Sequence, residues 1–261
     1  MIRKLLKKIK LADKLNNMFV KYKVAKNFLK CSEKEIEQLK FYNQFINKSS
    51  LVFDVGANVG SRTKLFLNMG ARVVAFEPQP NLYNHLKNHL EIVKRVNIEQ
   101  LALGDKKSEK QMQICDAHVL SSLSKRWISA TQESGRFSTY NWEKSISVNV
   151  STLDEQINKY GIPDFIKIDV EGYEFEVLQG LTCPVNSVSI EFTAEDIENT
   201  SMCLDYLTNL GKCSYRYSLG ESLSFCDGKW TDGDEFMVHL KKLCLNNPKY
   251  WGDIYVNMKN F

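Results

Sequence analysis

A doubly wound α/β fold, with a mostly parallel, Rossmann-like seven-stranded sheet behind an N-terminal helical extension, is predicted by three observations. The run Leu51-Val-Phe53 is apolar on both faces and rich in β-formers, as in a parallel strand covered on both sides. From there to residue 258, apolar β-like runs alternate with helical patterns, which is the signature of βα units. The 261 residues, 43% hydrophobic and 25% charged, can bury one full core. The division that follows is a basic helical extension over 1–48 and a sheet domain over 49–261.

The extension reads as helical, with Ser32-x-x-Glu35 as a capping box for a helix ending near Ile46. Residues 1–30 hold ten Lys or Arg against one acid, Asp13, so the net charge of +4 is concentrated at this end. Ile2, Leu5, Leu6, Ile9 and Ala12 recur at helical spacing between the lysines. Such a stripe suits packing on the domain or on a second subunit in a homo-oligomer, the preferred reading, and also peripheral contact of residues 1–30 with an anionic membrane.

In the sheet domain, Gly56 and Gly60 free the turn after the first strand, and Met69-Gly70-Ala71 closes the helix Ser61 to Asn68. Arg72 to Phe76 is the second strand, Pro80 to Val93 a helix, and Val96 to Leu103 the third strand. Residues 106–145 are polar and irregular, with Trp127, Phe137, Tyr140 and Trp142 among serines and lysines, and read as a lid. Thr152 to Tyr160 is a helix, Asp164 to Val170 a strand, Phe175 to Gln179 a helix, Val185 to Phe192 a strand and Ala194 to Leu210 a helix. Tyr215 to Phe225 and Asp253 to Met258 supply the last two strands.

Ligands of such sheets sit beyond the carboxyl ends of the strands. Glu77 ends the second strand 17 residues after Gly60, close to the roughly 20-residue offset at which an acid grips ribose hydroxyls. The turn keeps only Gly56 and Gly60 and so departs from the G-x-G-x-x-G of pyrophosphate sites. Asp54 would repel a phosphate but suits an ammonium or a sulfonium, so S-adenosylmethionine fits better than NAD.

A second constellation is Phe165-Ile-Lys167-Ile-Asp169-Val-Glu171-Gly-Tyr-Glu174. Period-two alternation puts Lys167 and Asp169 on one face, where a charge needs a partner; Asp54, Asp169 and Glu191 are the candidates for Lys167. Glu174, at a helix entry, is as well placed for capping as for chemistry. Glu191, ending the fifth strand, is aimed at the same cleft.

The ordered series Asp54-Val-Gly-Ala-Asn-Val-Gly60, Phe76-Glu-Pro-Gln-Pro80, Ala102-Leu-Gly-Asp105, Ser121-Ser-Leu123, Thr152-Leu-Asp154 and Ile166 through Glu174 resembles the FkbM-type methyltransferase family. The resemblance covers about 49–193, with weaker similarity through Trp251-Gly-Asp-Ile-Tyr-Val256. It implies a class I methyltransferase fold that uses S-adenosylmethionine to methylate a hydroxyl of a sugar, as in a surface glycan, or of a natural product. By position, Asp54, Gly56, Asn58 and Gly60 would form the methionine side of the pocket, Glu77 would hold ribose, Ala102 and Leu103 would face adenine, and Asp169 would close the site. Arg62 and Lys64 depart from the pattern expected after the glycine turn and read as facing an acidic acceptor.

Methyl transfer to an alcohol calls for a base, with Asp169 or Glu191 first and His118 second. His85 and His89 share a helix face without the acid of H-E-x-x-H and are assigned no metal. A divalent ion on Asp169, Glu171 or Glu191 would suit carboxylates, but the sequence does not show that these converge, and no metal is predicted. The acceptor is a small molecule or glycan; no nucleic-acid module is recognisable. No apolar run approaches membrane-spanning length, and seven cysteines without a C-x-x-C pair point to a reducing cytoplasm, with or without membrane association. Two other readings are a nicotinamide-dependent oxidoreductase and a non-catalytic nucleoside-binding module tethered by the N-terminal helix.

Overall fold

The computed structural model describes residues 2–226 and 228–258, with side chains from Lys14 onward. The stripe Ile2, Leu5, Leu6, Ile9 and Ala12 therefore lies outside the described side chains. In chain order the elements are α1 (Ile2–Phe28), α2 (Glu33–Tyr42), β1 (Leu51–Val55), α3 (Ser61–Asn68), β2 (Arg72–Phe76), α4 (Pro80–Leu90), β3 (Val96–Glu99), β4 (Ala102–Leu103) and β5 (Ser108–Ile114). They continue with α5 (Lys125–Glu133), β6 (Lys144–Ser151), α6 (Leu153–Tyr160), β7 (Phe165–Ile168), α7 (Glu174–Gln179), β8 (Ser187–Thr193), α8 (Ile197–Leu210), β9 (Ser214–Leu219), α9 (Gly233–Asn246) and β10 (Trp251–Asn257).

Seven strands form one sheet in the order β3-β2-β1-β7-β8-β10-β9, parallel except for β10, which runs antiparallel to both neighbours. The order reverses between β1 and β7, and a crevice opens beyond their carboxyl ends. This is the class I methyltransferase arrangement. Alternate residues of the central strands feed two cores. Phe53, Val55, Ile166, Ile168 and Ile190 pack on one side with residues of α7, α8 and α9. Val52, Val73, Ala75 and Phe165 pack on the other with α3, α4 and Tyr42 and Ile46 of the N-terminal segment.

Because Tyr42 and Ile46 are buried in that second core, α2 is built into the sheet domain. Its capping box is present: Ser32 Oγ accepts from the Glu35 N–H at 3.3 Å, and the Glu35 carboxylate accepts from the Ser32 N–H at 2.7 Å. The helix stops at Tyr42 and a turn carries on to Ile46, whose N–H bonds the Tyr42 carbonyl. On α1, Lys21 pairs with Glu91 at 2.7 Å and Phe28 packs against the rings of His85 and His89, so the imidazoles serve packing.

The structure corrects three readings. The expected strand Val96 to Leu103 is two strands: the chain leaves the sheet edge after Glu99, and Ala102 pairs with Val150 in a second sheet of order β4-β6-β5. Residues 106–145 contain regular secondary structure. β5 pairs antiparallel with β6 from Ser108↔Val150 to Ile114↔Lys144, and α5 follows. The sequence Ser-Glu-Lys-Gln-Met-Gln-Ile is poor in β-formers, and pairing rather than intrinsic preference makes it a strand. Helix α9 was not predicted. Its signals are Asp232, which accepts from the Glu235 N–H at 3.1 Å, and buried Phe236, Leu240 and Cys244 at spacings of four.

Candidate functional site

Two adjoining cavities open at the carboxyl edge of the sheet. The smaller is lined by Gly56, Asn58, Glu77, Ala102, Leu103 and Asp169, with Met112, His118 and Leu123 among the side chains that close it. Glu77 is almost fully buried there. One carboxylate oxygen accepts from the Asn58 N–H at 2.8 Å and the other from the Gln79 N–H at 2.8 Å, which leaves each oxygen a free lone pair. Burial pushes its pKa up to about 7, against the opposing effect of those two N–H donors. A carboxylate fixed this way is shaped to accept from a vicinal diol.

The glycine turn works differently from the sequence reading. At Gly56 (φ +83°) an added Cβ would lie 1.9 Å from the Asp169 carbonyl, so this glycine lets the ends of β1 and β7 meet. Gly60 lines neither cavity. It starts α3 at φ +86°, and a Cβ there would strike Leu86 and Phe28, so its role is helix packing. Asn58, at φ +51°, aims its N–H at Glu77.

The second cavity is wide, about 660 Å³, and holds the carboxylates of Asp54, Asp169, Glu171 and Glu191. Asp54 is buried and accepts from Thr63 Oγ1; burial raises its pKa. Lys167 Nζ donates to Asp169 at 3.0 Å and to Asp253 at 3.1 Å. Of the three partners expected for Lys167, the structure pairs it with Asp169, while Asp253 on β10 was not foreseen because antiparallel β10 brings it beside β8. Glu191 instead converges with Asp169 and Glu171: one oxygen from each lies within 4.8 Å of the others. Burial first, then repulsion from neighbouring carboxylates including Asp169, pushes Glu171 and Glu191 well above the ordinary carboxylate value. These three are the residues that could hold a metal ion.

Glu171 sits in the left-handed region at φ +56°, and Ser122 Oγ donates to its carbonyl at 2.7 Å. Strain of this kind costs about 1–3 kcal/mol and persists where surrounding structure enforces it. The segment 106–145 thus fixes the acid cluster, and it is anchored in turn. Arg136 donates to Glu195 at 2.5 and 3.0 Å, Arg126 pairs with Asp196, and Trp127 is buried against Gly172.

Glu174 is buried and accepts from the Val170 and Gly172 N–H groups and from Asn199 Nδ2, each at 3.2 Å, a structural role. His118 lines the smaller cavity and is not one of the three clustered acids. Arg62 lines the wide cavity but is paired with Glu221, and Lys64 turns to Glu35 at 2.6 Å. Trp127, Phe137 and Trp251 add apolar rings to the wide cavity. The first two stood out as aromatics in a polar stretch; Trp251 opened the weakly similar motif near the C-terminus, with no site role read from it.

The methyltransferase FkbM domain model matches residues 54–217, and the chain belongs to that family. Among curated proteins, it is 26% identical over 144 residues to the hexuronic acid methyltransferase AglP of Haloferax volcanii, a match that covers 54% of each. The chain thus spans about half the length of the curated relative it matches. Similar solved structures include an O-methyltransferase from Bacillus cereus in complex with SAH (13% identity, TM-score 0.45, covering 88% of this chain and 83% of that one). A precorrin-6y C5,15-methyltransferase from Geobacter metallireducens GS-15 is another (10% identity, TM-score 0.43, covering 85% and 87%).

Proposed function

We propose that this chain is an S-adenosylmethionine-dependent O-methyltransferase whose acceptor is a hydroxyl of a sugar. The observation that carries the reading is the pairing of two cavities that share Gly56, Asn58, Asp169 and Glu171. One offers a diol-gripping carboxylate between apolar walls, as adenosine needs; the other offers carboxylates and aromatic rings, as a polyhydroxylated ring needs. The shared residues mark where a methyl group would cross. Family membership supports methyl transfer over hydride transfer, and the name of the Haloferax relative supports a uronic acid acceptor.

In this reading Glu77 binds the ribose hydroxyls, and Ala102 and Leu103 flank adenine. Asp54 and the Asn58 turn face the methionine moiety. The cofactor supplies an electrophilic methyl on a sulfonium, so the chain's task is to align the acceptor oxygen and exclude water. Phe137 and Trp251 hold the apolar face of the sugar ring. Glu191, which lines the acceptor cavity beside Asp169, takes the hydroxyl proton. Asp169, held by Lys167, orients the acceptor beside it.

Calorimetric titration of the purified chain with S-adenosylmethionine and with NAD tests the cofactor: heat with NAD alone ends the reading. Mass spectrometry of glycans from a strain lacking the gene tests the acceptor, through loss of one 14-dalton increment. Glycans unchanged in mass would remove the surface-glycan acceptor.

A further inference from the structure

We propose that Asp169, Glu171 and Glu191 bind a divalent, oxygen-seeking cation of the Mg²⁺ or Mn²⁺ class, which holds two neighbouring hydroxyls of the acceptor. The proposal rests on the O-methyltransferase reading and adds to it a metal site. Oxygens around one such ion, at roughly 2.0–2.6 Å from it, lie within about 4–5 Å of one another, and the three carboxylates meet that spacing. They come from three chain positions: the end of β7, the left-handed residue two places on, and β8.

A buried hydroxyl beside these carboxylates also points to a ligand. Thr193 lies two residues beyond Glu191 on β8, hence on the same face, and lines the same cavity. It is only 7% exposed and its hydroxyl makes no capping bond. A buried hydroxyl of this kind carries a cost unless something partners it. Mg²⁺ keeps several of its waters, and one of them beside Glu191 would partner that hydroxyl. Lys167, the cation nearest to hand, is already divided between Asp169 and Asp253.

The chemistry balances. The ion holds the acceptor oxygen and its neighbour; the methyl carbon forms a bond to that oxygen as the carbon–sulfur pair withdraws to sulfur. The hydroxyl proton passes to the Glu191 oxygen that does not face the ion. A methyl ether, a thioether and a protonated Glu191 result. Any cation that favours hard oxygen ligands and tolerates bound water meets these requirements.

The test titrates the full chain with Mn²⁺, following free ion by electron paramagnetic resonance, beside a calorimetric titration with S-adenosylmethionine. The expected result is one Mn²⁺ per chain, displaced by Mg²⁺, with affinity lowered at least tenfold in Glu191→Gln and in Glu171→Gln. Circular dichroism stays that of the wild type in both variants, and cofactor heat stays that of the wild type in Glu191→Gln; Glu171→Gln alone decides if Glu191→Gln does not fold. Wild-type chain that binds the cofactor but no Mn²⁺ overturns the proposal, as does Mn²⁺ affinity unchanged in a folded variant. Mn²⁺ binding without cofactor binding instead overturns the methyltransferase reading.

Discussion

The small cavity and the wide one are built by different means. The small cavity takes its polar groups from the ends of β1 and β2: Gly56, Asn58 and Glu77 lie within 22 residues of one another, and the key donors to Glu77 are backbone N–H groups. The wide cavity draws on positions from Lys34 to Trp251, and its groups are side chains held by other side chains. Backbone geometry set by two adjacent strands tolerates change elsewhere in the chain. A site assembled from distant side chains leaves its chemistry adjustable.

Substitutions on the two sides should therefore separate cofactor binding from turnover. The largest effect is expected from Glu191→Gln, which removes the base while keeping the shape of the side chain. Turnover should fall about 10² to 10⁴-fold, with cofactor affinity retained. Single-turnover kinetics beside a binding titration measures both; wild-type turnover in this variant would take Glu191 out of the chemistry.

Next in size is Asp253→Ala. Lys167 is buried, and the variant leaves it with Asp169 as its sole carboxylate partner. Removing one partner of a buried ion pair costs about 3–5 kcal/mol, so denaturant unfolding should show a loss of that order. A change below about 1 kcal/mol, the scale of surface pairs, would mean that the Lys167–Asp169 contact alone satisfies the ammonium.

How much of this was legible follows the same division. β1, β2, the glycine turn, Glu77 and the strand bearing Lys167 and Asp169 could be read because each is a local pattern: an apolar run, a turn residue, an acid at a strand end. The meeting of Asp169, Glu171 and Glu191 could not, since it depends on which strand lies next to β7 and on the left-handed backbone at Glu171. Asp253 was hidden for a related reason, its register being set by antiparallel pairing with β8. β5 was missed because its residues favour other structure and its paired residues lie 30 or more positions away. Gly56 was recognised as freeing the turn, and the structure adds that a Cβ there would meet the Asp169 carbonyl.

On the small-cavity side, Glu77→Ala should weaken S-adenosylmethionine binding by about 1–3 kcal/mol, because two ribose hydroxyls lose a charged acceptor. Turnover at saturating cofactor should change far less than in Glu191→Gln. An affinity equal to wild type would show that the ribose is gripped elsewhere.

The smallest effect, and the sharpest for the comparison, is pH dependence. Glu77 has a folded-state pKa of about 7, raised by burial, against an ordinary carboxylate value in the unfolded chain. Below the unfolded value both states carry the proton. Between that value and about 7 the folded chain holds a proton that the unfolded chain has released, so this group's contribution to stability declines as pH rises and levels off above 7. Cofactor affinity runs the other way, because the ionised form is the better acceptor for two hydroxyls. From pH 8 to pH 6 the affinity should therefore fall, by at most about tenfold per unit below the pKa. Glu77→Gln removes this titration, so the two titration series at pH 6, 7 and 8 should converge at the acid end and diverge at pH 8. Parallel series at all three values would mean that Glu77 does not titrate in this range and that its two backbone donors keep it ionised.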